Sequence, residues 1–131
     1  MMTANRLSLT FGCIGMLLIG SSVFAAPADD LLAKYQAQGI SIVNADAGKK
    51  LWFKGFSGRS CTSCHGETLA ATGKHARTGK RIEPMAPSLN TERLTDVAKI
   101  EKWFLRNCKW TLKRECSLQE KADVLAWLKE Q

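Results

Sequence analysis

The chain has little of what builds sheets or membrane spans. No segment alternates apolar and polar residues for long enough to make a convincing strand, so the outline is all-α. No apolar run reaches the roughly 20 residues that a spanning helix needs. No internal repeat or low-complexity tract is present, and only three prolines occur, two of them between residues 56 and 90. Acids are also scarce: twelve Asp and Glu stand against nineteen Lys and Arg, a net charge of +7. The remainder, 45% hydrophobic and 24% charged over 131 residues, suits one globular domain.

Residues 1–25 read as a secretory signal peptide. Arg6 supplies a positive start, "FGCIGMLLIG" (Phe11–Gly20) is the apolar stretch, and "SSVFAAP" offers small residues for cleavage. A cut after Ala25 puts Val23 and Ala25 at the two specificity positions. A cut after Ala26 would put Phe24 at one of them and Pro27 just beyond the scissile bond. The expectation is a periplasmic protein with its domain over residues 26–131. An uncleaved anchor would need a longer apolar run, and a lipid-modified Cys13 would need that cysteine at the end of the run, not at its start. Loss of Arg6 lowers the charge from +7 to +6 (7 − 1). An exported basic chain points to an acidic protein partner or an anionic membrane surface, not to nucleic acid.

"PADDLLAKYQAQG" (Pro27–Gly39) and "NADAGKKLWFKG" (Asn44–Gly55) each predict a short helix, with Asn44 as a cap and Ala47, Leu51 and Trp52 on one face. Residues 56–90 hold four glycines and no sustained period, which predicts loops with a helical turn after Cys61. From Thr95, a plausible cap, Val97, Ile100, Trp103, Phe104 and Asn107 recur at helical spacing. A last helix follows in "SLQEKADVLAWLKE", opened by a capping box of Ser117 and Glu120.

Chemistry enters at "CTSCH", Cys61 to His65, the C-x-x-C-H attachment sequence for a c-type haem. Two thiols at this spacing can form thioethers to the haem vinyl groups, and the adjacent imidazole reaches the iron as its proximal ligand. A thioredoxin-like pair would want a βαβ context, and a zinc site a second ligand pair; the sequence has neither. A covalent haem also explains the long middle loop, since it can serve as the core around which residues 56–94 fold. Of the five cysteines, Cys13 leaves with the signal and Cys61 and Cys64 go to haem. Cys108 and Cys116 remain, and an oxidising compartment favours a disulfide between them over two free thiols.

The occupant of the sixth iron position separates plain electron transfer from ligand chemistry. Met85, in "EPMAPS", is the conventional electron-transfer ligand or a loop residue packed on the porphyrin. His75, in the polar "TGKHARTGK", would give a bis-histidine haem, or with Arg77 a distal pair for peroxide chemistry. Asn107 falls on the apolar stripe of its helix, or caps that helix near its C-terminus. Spacing alone ranks Met85, and Asn107 as a cap, ahead of Asn107 as a ligand, and the polar loop favours an exposed His75.

From Cys61 onward the segments "CTSCHG", "RTGKRIEPMAPS", "ERLTD", "KIEKWFLRNC" and "CSLQEKADVLAWL" resemble the sphaeroides haem protein (SHP) family, class I c-type cytochromes related to cytochrome c''. The resemblance covers about seventy residues and is far more specific than the haem motif alone. It implies a class I cytochrome c-like fold of about four short helices around one covalently bound haem c. It also implies that Asn107, just before the first disulfide cysteine, binds ferric iron. In cytochrome c'' a histidine holds the equivalent place. In the resembled group the amide leaves on reduction and opens a site for O2, NO or CO, and the electron partners are a diheme cytochrome and a membrane cytochrome b. Met85 stands where that group has leucine. An ordinary His/Met electron carrier and a low-turnover haem enzyme, a peroxidase or one acting on NO or O2, are the alternatives; a carrier that binds gas is expected ahead of a true enzyme. Lys99, Lys102, Arg106 and Lys109 are candidates for a basic docking face.

Overall fold

The structure, a computed structural model, describes residues 27–131, so the signal segment, its cleavage site and Cys13 lie outside the described residues. Helix α1 (Pro27–Ala37) begins on a proline whose fixed φ suits the first helical position, with Asp29 and Asp30 complementing the helix N-terminus. Its Leu31 and Tyr35, one turn apart, face inward and are buried. Helix α2 (Ala45–Phe53) is capped by Asn44, whose side chain accepts from Ala47 N at 3.0 Å. After the short α3 (Thr62–His65) come β1 (Gly73–Lys74) and β2 (Arg81–Ile82), and then α4 (Val97–Thr111) and α5 (Leu118–Lys129).

Helix α5 is the centre of the domain. Ala122 to Leu128 are all buried, as befits a helix covered on more than one side. On one side it meets α1 and α4 in a core of Leu31, Tyr35, Ile100, Ala122 and Leu125. Tyr35 Oη and Lys121 Nζ both donate to the Glu101 carboxylate, at 2.9 and 2.7 Å, and so tie the three helices together. On the other side α2 crosses so closely that a Cβ on Gly48 would stand 2.1 Å from the Asp123 carbonyl oxygen. The Asp123 side chain accepts from Asn44 N at 2.8 Å and from Gln119 Nε2 at 2.7 Å, which fixes the crossing. That contact brings Trp52 against Val124, Trp127 and Leu128, the second core, where the site lies.

Several expectations need correction. The helical turn expected after Cys61 is long enough to count as a helix beside the four expected, while other details differ. A two-residue antiparallel ladder, Gly73 with Ile82 and Lys74 with Arg81, closes the middle loop; it is too short to leave an alternating pattern. Asp96, not Thr95, caps α4 and accepts from Lys99 N at 2.9 Å, while the Thr95 hydroxyl donates back to Glu92 O. Asn107 is not a terminal cap: α4 runs on to Thr111, with Leu112 at the cap position. Among the described residues no helix is long and apolar enough to cross a membrane.

Candidate functional site

One helical turn assembles the motif. Cys64 N and His65 N both donate to Cys61 O, at 3.2 and 3.1 Å, so that Cys61, Cys64 and His65 share one side of α3. Neither cysteine is in a disulfide, and both are half-buried. Strand β1 passes directly over the turn: a Cβ on Gly73 would come 2.2 Å from the Cys64 carbonyl oxygen, so only glycine permits this approach. Beyond the ladder start, Ala76 N donates to Cys64 Sγ at 3.3 Å.

The His65 ring packs on Trp52, with centroids 5.1 Å apart. His65 Nδ1 and Trp52 Nε1 are both buried without a hydrogen-bond partner among the described residues. Burial first, and then the Arg93 charge, push the His65 pKa down to about 4, so the ring is neutral at pH 7. Burial likewise pushes the Cys61 thiol up to about 11. A neutral imidazole with a free nitrogen is the form that binds metal, and two cysteines outside any disulfide beside it are what thioether attachment needs. These residues fit a covalent haem. Zinc does not fit, since no three His, Cys, Asp or Glu side chains converge among the described residues.

Arg93 braces the loop that flanks His65. Its Nε donates to Pro84 O at 2.9 Å and its Nη2 to Glu83 O at 2.6 Å, while Asn90 Nδ2 also reaches Pro84 O. Met85 follows directly. Its N donates to Leu69 O at 2.9 Å, and its half-buried side chain packs against the core cluster that includes Trp52 and Leu69. His75 is half-buried, and its Nδ1 accepts from Arg77 N and Thr78 N at 3.3 and 3.1 Å, which uses the ring to organise a turn.

Helix α4 carries Asn107. The expected stripe divides in two. Ile100, Phe104 and Cys108 turn inward, whereas Trp103 and Asn107, about 40° apart around the helix, lie on an adjacent flank and are exposed. Angle alone does not separate them, since Asn107 is about 20° round from buried Ile100 at 100° per residue; it lies two turns further along α4, and there that side of the helix is exposed. Asn107's amide makes no hydrogen bond among the described residues. Its neighbours three positions away on each side both tie α4 to the motif. Phe104 packs in the cluster that includes Cys61 and Trp52. Trp110 receives Arg59, two residues before Cys61: Nη1 donates to Trp110 O at 3.2 Å and the guanidinium sits 4.8 Å from the Trp110 ring centroid. Cys108 and Cys116 are joined by a disulfide, Cα atoms 5.5 Å apart, that holds the α4–α5 turn. Of the proposed basic face, Lys99, Lys102 and Arg106 are exposed, but Lys109 is paired with Glu115 at 3.0 Å. Sequence reasoning missed Arg59, Gly73 and the Trp52–His65 contact; no local pattern marks partners so distant in the chain.

Residues 38–128 match a family described as a domain of unknown function, DUF1924. The chain is 41% identical over 126 residues to the cytochrome c-type protein SHP of Cereibacter sphaeroides, covering 87% of this chain and 97% of that protein. Among solved structures, oxidised SHP, described as an oxygen-binding cytochrome c, superposes with a TM-score of 0.73 at 42% identity, over 81% of this chain and 97% of that one. The solution structure of cytochrome c'' of Methylophilus methylotrophus, concerned with haem-ligand detachment, gives 0.65 at 36% identity, over 79% and 93%. The class I cytochrome c-like fold expected from the sequence is thus present. The chain belongs to the DUF1924 family and is a c-type cytochrome of the SHP kind, carrying a covalently bound haem c.

Proposed function

We propose that the protein is a periplasmic monohaem electron carrier whose asparagine ligand is released on reduction so that a diatomic gas can bind. Cys61 and Cys64 hold the haem by thioethers and His65 binds the iron from the proximal side. Asn107 supplies the sixth ligand through its amide oxygen. The bound haem supplies one-electron chemistry and a coordination site for O2, NO or CO.

The observation that carries this reading is the setting of Asn107. It offers an unpartnered amide on the flank of α4 between Phe104 and Trp110, the two residues that tie this helix to the segment around Cys61. A hard carbonyl oxygen suits Fe(III) better than the softer Fe(II), so an amide held only by the metal is free to leave on reduction. Met85 favours a packing role, because its half-buried side chain lies against the core cluster that includes Trp52 and its N is tied to Leu69 O. His75 has its Nδ1 engaged in a turn, which argues against a distal peroxidase base. SHP's description as oxygen-binding, and cytochrome c'' as a case of haem-ligand detachment, support the same reading. Lys99, Lys102 and Arg106 offer a basic face for an electron partner, which the resemblance points to as a diheme cytochrome or a membrane cytochrome b.

The test is an optical titration of the ferrous protein with carbon monoxide. Formation of a CO adduct at full occupancy is expected. A ferrous spectrum that stays six-coordinate and ignores CO would overturn the labile-ligand reading.

A further inference from the structure

The proximal side of the site carries a feature that neither haem attachment nor Asn107 uses. From His65, aromatic rings lie in contact one after another out to the surface. His65 and Trp52 have centroids 5.1 Å apart, Trp52 and Trp127 5.6 Å, and Trp127 and Phe53 6.0 Å. Trp52 and Trp127 are 4% and 7% exposed, whereas Phe53 is 43% exposed and brings the series of rings to the surface.

The surface around Phe53 is basic. Asp46, Lys49, Lys50 and Phe53 line an open hollow of about 500 Å³ on the outer side of α2, and Lys54 follows Phe53 directly, its ammonium over the Phe56 ring. Among the described residues none of these three lysines is in an ion pair. Asp46, the one carboxylate in the hollow, lies in the first turn of α2, where it complements the helix dipole. The lysine charge is therefore left for something else to meet.

We propose that the Phe53 face of α2 is a docking site for an acidic one-electron donor protein, and that Phe53, Trp127 and Trp52 form the contact path from that donor to the proximal histidine. This rests on the electron-carrier reading and adds to it a second face, separate from Lys99, Lys102 and Arg106 on α4. An apolar centre within a basic rim matches an acidic partner: the charges steer the encounter and the ring makes the dry contact. In the transfer the donor loses one electron and ferric iron gains it. No bond is made or broken, and no proton has to travel along the rings.

The experiment uses the ferric holoprotein and flavodoxin hydroquinone, an acidic one-electron donor, in stopped flow over a range of ionic strength. Lys49→Glu/Lys50→Glu is expected to lower the second-order rate about tenfold at low salt and to flatten its salt dependence. The control Lys102→Glu/Arg106→Glu is expected to change it less. Phe53→Ala is expected to lower the limiting first-order rate severalfold while the midpoint potential stays put. Because all four lysine and arginine positions and Phe53 are exposed, these variants leave the core intact. The proposal is overturned if the α2 reversal leaves rate and salt slope unchanged, or if the α4 reversal accounts for the whole effect. It is equally overturned if the α2 reversal spares the flavodoxin rate but abolishes binding to phosphatidylglycerol vesicles, which would make the face a membrane contact. A wild-type protein with no reversible one-electron wave would instead sink the electron-carrier reading itself, a result that separates the two failures.

Discussion

Arg59→Leu should reveal how the chain holds α4. Arg59 makes two contacts with Trp110: a hydrogen bond to the main-chain carbonyl at 3.2 Å and a guanidinium–indole contact at 4.8 Å. A cation over a partly exposed ring contributes about 0.5–1 kcal/mol. A charged donor to a carbonyl contributes about 1.5 kcal/mol or a little less at this length. The variant should therefore lose about 2 kcal/mol in guanidinium unfolding of the ferric protein. Trp110→Leu removes the ring but keeps the carbonyl, so in that background Arg59→Leu should cost about 1.5 kcal/mol or less, the difference being the coupling read by the double-mutant cycle. Trp110 lies three residues beyond Asn107 on α4, so if Asn107 binds the iron as proposed, loosening Trp110 should also weaken that bond. Imidazole titrated into the ferric variant should bind about three- to tenfold more tightly than in the wild type, since 1.4 kcal/mol is a factor of ten. A loss below about 0.5 kcal/mol, or a full loss of stability with unchanged imidazole affinity, would refute the idea that this contact positions the ligand helix.

Other consequences follow from the packing. Gly48→Ala sets a methyl group 2.1 Å from the Asp123 carbonyl oxygen; overpacking of about 1–3 kcal/mol outweighs a helix-propensity gain of about 1 kcal/mol, so denaturant unfolding should show a net loss, and unchanged stability would mean that α2 and α5 can slide apart. Replacing Cys108 and Cys116 together by serine opens a loop of sequence separation 8, which should cost about 2.5 kcal/mol in the same assay. Burial alone would raise the Glu101 pKa, but hydrogen bonds from Lys121 and Tyr35 and the nearby Lys121 charge hold it below the ordinary 4.5. A depressed carboxylate binds fewer protons folded than unfolded, so its stabilisation is full above pH 4.5 and is lost as pH falls through the lower folded value; Lys121→Met should shrink this acid step in a pH series of unfolding curves, and an identical series would refute the link.

Much of the fold was legible because its signals are local. Asn44 capping α2 and the Ser117–Glu120 box opening α5 are short-range hydrogen bonds that leave fixed spacings in the sequence. The pairing of Cys108 with Cys116 followed from counting. Asp96 displaced Thr95 as a cap because both are capping residues and only the entry path of the chain decides between them. The α4 stripe misled for a related reason: periodicity gives the angle around a helix but not what covers it at each height, and Asn107, about 20° round from buried Ile100 but two turns on, is exposed. Arg59 against Trp110, and Trp52 against His65, join segments far apart in sequence or loop-bound, where no period exists to be read. CTSCH was readable because attachment chemistry requires all its residues within one helical turn.

The central claim is that Asn107 binds ferric iron, and the ferric spin state tests it most directly. Electron paramagnetic resonance and optical spectra of the ferric protein should change in Asn107→Ala to those of a haem with water or no sixth ligand, whereas Met85→Leu should leave the wild-type spectrum intact. A ferric spectrum unaltered by Asn107→Ala but changed by Met85→Leu would contradict the account and make the thioether the ligand.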